Sequence, residues 1–166
     1  MLTSLVALSL LLHPGENPHV LDTVDAFFVA LERADRAAFE DLVREGTVFH
    51  TVRRGEDGEV RHSTTDRDAW LDGLAGQEGK IVEVYWTPSV SVSPIGLAQV
   101  WAPYYVEYEG KPLHCGVDAF TLAHTPEGRW QIIGLADTRD PEGCERLGYE
   151  SAQTLRPQSL VPKLSG

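Results

Sequence analysis

The side chains best suited to chemistry fall late in this chain, in two segments that read as neighbouring strands. One is His114-Cys115-Gly116-Val117-Asp118-Ala119-Phe120; the other is Ala136-Asp137-Thr138-Arg139. A turn at Thr125-Pro126-Glu127-Gly128 separates them. If that turn is a four-residue loop, His124 faces Arg129, Phe120 faces Ile133, Asp118 faces Leu135, Gly116 faces Asp137 and His114 faces Arg139. Side chains alternate between the faces of a strand, so Asp118, Asp137, His114 and Arg139 then share one face as the polar end of a more apolar surface. A one-residue bulge would exchange the partners. Trp86, Trp101, Tyr104 and Tyr105 offer flat rings to a ligand, although strand aromatics also serve cores and subunit contacts. No metal or cofactor is expected. His13, His19, His50, His62, His114 and His124 are scattered, without His-x-His or HExxH spacing, and no G-x-S-x-G elbow or glycine-rich phosphate loop occurs.

The elements that must position these residues are legible in order. Asn17 and Pro18 suit a helix start, and Val20, Leu21, Val24, Phe27, Phe28 and Leu31 form one apolar face over 18–34. Asp35 caps a second helix carrying Phe39, Leu42 and Val43, which stops at Gly46. A Thr65-x-x-Asp68 capping box opens a third, with Trp70, Leu71 and Leu74 turned inward. Between the second and third lies a hairpin, 47–53 with 59–63, turning at Gly55-Glu56-Asp57-Gly58. Four long strand-like runs follow at 80–92, 96–109, 113–124 and 129–138, joined by short turns that make antiparallel neighbours. Helices first and a long meander second predict an α+β domain, its curled sheet closed by helix 18–34.

Three stretches carry a family resemblance: Ala98-Gln99-Val100-Trp101-Ala102-Pro103-Tyr104-Tyr105, His114 through Leu122, and Gly128-Arg129-Trp130-Gln131-Ile132-Ile133. With Ala136-Asp137-Thr138-Arg139 and Cys144 they resemble the bacterial nuclear-transport-factor-2-like proteins of the SnoaL-like or lumazine-binding type, over 18–144. The resemblance implies a cystatin-like α+β roll, a cone with a pocket inside, and frequent homodimers through the open sheet face. It implies no particular reaction.

Ketosteroid isomerases share that fold. Gly46-Thr47-Val48-Phe49-His50-Thr51-Val52 resembles the segment bearing their carboxylate base, which places His50 at the base position. Asp118-Ala119-Phe120 resembles the segment bearing their protonated oxyanion aspartate. A carboxyl group in an apolar cavity can stay neutral and donate a hydrogen bond, and a histidine can move protons near neutral pH. The catalytic pair this implies is therefore His50 and Asp118. Where those enzymes carry an oxyanion tyrosine, this chain has Phe27, which has no proton to donate.

Composition narrows the partners. The chain has 166 residues, enough for one domain, and a formal net charge of −11 with no Lys/Arg run. Such a surface repels phosphate backbones and anionic membranes. Residues 1–12 are uncharged and largely apolar, too short to span a bilayer but matching the apolar core of an export signal, without its basic start or Ala-x-Ala site. The expected organisation is 1–16 as that apolar segment, 17–144 as the domain and 145–166 as a tail. A secreted or periplasmic location follows if the segment is a signal, and a cytoplasmic one otherwise. Cys115 and Cys144 either bridge, constraining the unfolded chain by roughly 3–4 kcal/mol, or stay as thiols.

Three readings remain open at this level. The first is a domain binding a small apolar or aromatic molecule through Phe27, Trp86, Trp101, Tyr104, Tyr105, His114, Phe120, Asp137 and Arg139. The second is a cofactor-independent proton-transfer enzyme using His50 and Asp118. The third is a dimeric interaction module whose cavity is filled.

Overall fold

The computed structural model describes residues 18–55 and 57–149. The apolar start, the expected cap Asn17, Glu56 in the hairpin turn and the end of the tail lie outside the described residues.

Helix α1, Pro18–Arg33, buries Val20, Val24, Phe27, Phe28 and Leu31, the stripe expected from its spacing. Ala34 adopts a left-handed φ of 49° and ends the helix. Asp35 then caps α2, Arg36–Leu42, by accepting from the Ala38 amide, and Phe39 is fully buried. Strands β1, Val48–Arg54, and β2, Val60–Asp66, form the hairpin. Helix α3, Arg67–Ala75, starts one residue later than expected: Asp66, not Thr65, is its cap, accepting from the Ala69 amide. Thr65 stays in β2, paired with Phe49.

The expected single strand 80–92 is two, β3, Ile81–Tyr85, and β4, Ser89–Val92. Thr87 has a φ of 38° and Pro88 lacks an amide proton, so the ladder breaks between them. Both pieces pair with β5, Leu97–Tyr108, which continues into β6, Lys111–His124, and β7, Trp130–Arg139. The order is β2-β1-β7-β6-β5-β3. The sheet is mixed rather than wholly antiparallel, because β1 lies parallel to β7. The chain leaving α2 already runs alongside β7 at Val43 and Ile132, with the Arg44 amide donating to the Ile132 carbonyl at 2.9 Å, and keeps that direction.

Register departs from the four-residue-turn expectation in two steps. His124 pairs with Trp130, one residue further along β7, and a bulge between Thr121 and Leu122 adds a second residue. Phe120 therefore faces Leu135, and Asp118 faces Asp137. Two single-residue shifts restore parity, so the same side chains stay on the same face with new partners.

The helices lie against one sheet face, where Phe27 meets Phe28, Phe39 and Phe120 edge-on. On the other face a disulfide joins Cys115 to Cys144, and Tyr149 stacks on Tyr105 with centroids 4.0 Å apart.

Candidate functional site

A cavity of about 480 Å³ lies between helices α1 and α3 and the inner sheet face. Its apolar wall is Phe27 and Leu31 from α1, Phe49 from β1, and Trp70 and Leu74 from α3, and polar and charged side chains make up about as much of the lining. Alternation along each strand decides what reaches it. Phe49, Thr51 and Arg53 of β1 face in, as do Ile81 and Glu83 of β3 and Tyr104 and Val106 of β5.

The polar end is built from adjoining strands. Asp137 is buried and well satisfied: Thr51 Oγ1 donates to its Oδ1 at 2.6 Å, and Arg139 Nε donates to its Oδ2 at 2.6 Å. Tyr104 donates to the Thr138 carbonyl at 2.9 Å and lies 3.4 Å from His114 Nδ1. Asp118, across the β6–β7 ladder from Asp137, is different. It is 3% exposed, and its Oδ2 has no hydrogen-bond partner.

Electrostatics follow from this arrangement. Burial, then the charges of Glu83 and Asp137, push the Asp118 carboxyl well above the usual range. Burial also raises Glu83 to about 7; a hydrogen bond from Asp118 opposes that rise, and the charge of Asp137 adds to it. Two carboxyl groups this close and this dry favour holding a proton. Burial and the neighbouring Arg139 charge lower His114 to about 4, so it is a neutral imidazole at physiological pH. Burial, with the Glu83 and Asp118 charges, keeps the Tyr104 hydroxyl protonated.

Of the residues singled out from sequence, Phe27, Tyr104, His114, Asp118, Asp137 and Arg139 line the cavity. The others do not. His50 points to the opposite face, exposed, with its Nδ1 3.3 Å from His62 Nε2; its neighbours Phe49 and Thr51 face in, so alternation turns it out. A His50–Asp118 catalytic pair is therefore not assembled. Phe120 lies beneath the cavity floor, packed on Phe27 and Phe28. Trp101 is 56% exposed on the outer face, and Trp86 and Tyr105 pack against Tyr149.

Glu83 is the important residue that the sequence reading missed. Its signal was present: in Ile81-Val82-Glu83-Val84-Tyr85 a lone carboxylate shares its strand face with Ile81 and Tyr85. Trp70 and Thr51 were also missed as wall residues, Trp70 because its helical spacing marked it as core.

A cone-like open sheet, wrapped around N-terminal helices with a cavity between, defines the architecture. The chain has the NTF2-like, cystatin-like α+β fold. No protein-family profile matches the sequence, and no curated protein is significantly similar to it. Solved structures are. An NTF2-like protein of unknown function from Silicibacter pomeroyi is 21% identical, over 74% of this chain and 94% of that one, with a TM-score of 0.52. A candidate dehydratase of the NTF2-like family from Streptomyces avermitilis is 21% identical over the same shares, at 0.55. The β subunit of a candidate aromatic-ring-hydroxylating dioxygenase from Novosphingobium aromaticivorans is 12% identical, over 74% and 88%, at 0.59. The fold thus occurs in proteins given enzymatic names and in others with none.

Proposed function

We propose that this chain binds a small, mainly apolar or aromatic molecule in the cavity, with the Asp118–Glu83 carboxyl pair at its polar end. The observation that carries this reading is Asp118, a cavity-lining residue whose buried Oδ2 has no hydrogen-bond partner. Leaving such an atom unsatisfied costs roughly 1–3 kcal/mol, which a ligand donor or acceptor would recover. A concave site that sets aromatic walls beside convergent polar groups is a usual form of ligand site, and this cavity has both. Gly73 supplies the test, because a side chain added there meets nothing within 4 Å and would project from α3 at the cavity wall. Native mass spectrometry of the full chain is expected to show a retained small molecule in the wild type and none in Gly73→Phe. Equal retention by both would rule the cavity out.

A second reading has its own support. Two neighbouring carboxyl groups, Glu83 raised to about 7 and Asp118 raised well above the usual range, supply an acid and a base at one place, so proton transfer within the cavity is chemically available. Deuterium incorporation beside the carbonyl of a cyclic ketone, faster than in buffer and lost in Glu83→Gln, is the expected sign. A rate equal to buffer would remove it.

Two coarser inferences go with the binding reading. Exposed Trp101 on the outer sheet face favours pairing of two copies, and sedimentation of a monomer at all concentrations would refute that. The Cys115–Cys144 bridge favours an oxidising compartment, and free thiols in the protein isolated from its native cells would refute export.

A further inference from the structure

We propose that the ligand carries a basic nitrogen: a protonated amine on an apolar or aromatic body, its N–H groups donating to Glu83 and Asp118. This rests on the reading that the cavity holds a small molecule, and adds the ligand's charge and donor character.

Three carboxyl groups converge at one end, Glu83 from β3, Asp118 from β6 and Asp137 from β7. Only Asp137 has a cation of its own, the Arg139 Nε at 2.6 Å, and Thr51 occupies its other oxygen. Asp118 is 3% exposed with Oδ2 unpartnered, and no residue of opposite charge is bonded to Glu83 or Asp118 among the described residues. What this end lacks is a cation bearing several donors. An ammonium group satisfies two acceptors at once and offsets the repulsion between the two acids. A carbonyl ligand would only accept a hydrogen bond from the protonated member of the pair and would bring no positive charge.

The other groups facing Glu83 supply that charge only in part: the Arg139 charge lowers both Glu83 and Asp118, yet burial still holds both carboxyls raised. Arg139 is committed to Asp137 and its side chain is 45% exposed; Arg53 from β1 is exposed on the cavity wall. His114 from β6 is held neutral, and the Tyr104 hydroxyl of β5 is engaged by the Thr138 carbonyl. The walls complete the fit. Phe27, Phe49 and Trp70 present rings to the cavity, and aromatic faces attract an adjacent cation while covering an apolar body. A net charge of −11 draws cations toward the molecule rather than anions.

Calorimetric titration of the full chain with three probes of similar shape tests this: 2-phenylethylamine, 2-phenylethanol and 3-phenylpropanoate. The amine is expected to bind, the alcohol at least tenfold more weakly and the carboxylate not at all. Ammonium binding requires the pair to lose a proton, and Glu83 loses its own near 7, so amine affinity should rise about tenfold from pH 6 to pH 8 and then level off. Glu83→Gln and Asp118→Asn should each weaken the amine at least tenfold while leaving the alcohol unaffected. Tighter binding of the alcohol than the amine, or amine affinity that falls as pH rises, overturns the proposal without requiring either variant to fold. If none of the three binds while native spectra show another molecule that Gly73→Phe displaces, the amine inference falls and the cavity reading stands. If the cavity retains nothing, both fall.

Discussion

Glu83 and His114 place opposite pH dependences on the stability of one cavity. The Glu83 carboxyl titrates near 7 in the folded chain against 4.5 when free, so the folded state holds the proton more tightly. Its folding penalty is absent below 4.5, grows as pH rises towards 7, and is constant above that. His114 titrates near 4 against 6.5, so the unfolded chain takes up the proton first and stability falls as pH drops from 6.5 towards 4. Between 6.5 and 7 only the carboxyl slope remains. Glu83→Gln should therefore raise stability at pH 8 by about 1–3 kcal/mol relative to pH 5, the partial exposure of the side chain keeping it below the full shift. His114→Asn should flatten the acid side instead. Urea melts across pH 4–8 check both, and a Glu83→Gln profile parallel to wild type would contradict the first. Asp118→Leu, which removes the unpartnered Oδ2 and the repulsion with Glu83 and Asp137 at the cost of the hydrogen bond to Glu83, is expected to raise the melting temperature at pH 7.5 even as it damages the site. A drop would mean that the hydrogen bond to Glu83 outweighs the cost of the unpartnered oxygen.

The elements were largely readable, and the exceptions have local causes. Helix α1 declares itself by an unbroken apolar stripe, and β5–β7 by long runs between short turns. The break at Thr87-Pro88 was hidden, because Trp86 and Val90 continue the apolar pattern across it. The parallel β1–β7 contact involves partners far apart in sequence, which local pattern does not encode. The inward face of β6 and β7 came through because alternation survives an even register shift. His50 was lost because its position was assigned by likeness and not by alternation within its own strand. Two predictions belong at this scale. Gly116 lets β6 approach β7, since an added Cβ would stand 1.7 Å from the Thr138 carbonyl oxygen; Gly116→Ala should cost about 2–4 kcal/mol in a urea melt. An unchanged midpoint would mean that the strands separate easily. Replacing Cys115 and Cys144 together by Ala should cost roughly 2–4 kcal/mol and expose Tyr149 to proteolysis, through loss of its anchor at Tyr105. Unaltered cleavage around Tyr149 would show that aromatic stacking alone holds it.

At the scale of the molecule, the sheet, α1 and α3 surround a cavity with an aromatic wall and a polar end that carries Glu83, Asp118 and Asp137. The fold alone does not assign a task, and its solved neighbours differ in theirs. The interaction-module reading calls for a filled centre, and a cavity of about 480 Å³ stands there instead. The most direct measurement is native mass spectrometry of the purified full chain beside Gly73→Phe, with any released molecule identified. A small molecule held by the wild type and absent from the Gly73→Phe protein is the predicted result. The same molecule held equally by both, or none held by either, would contradict it.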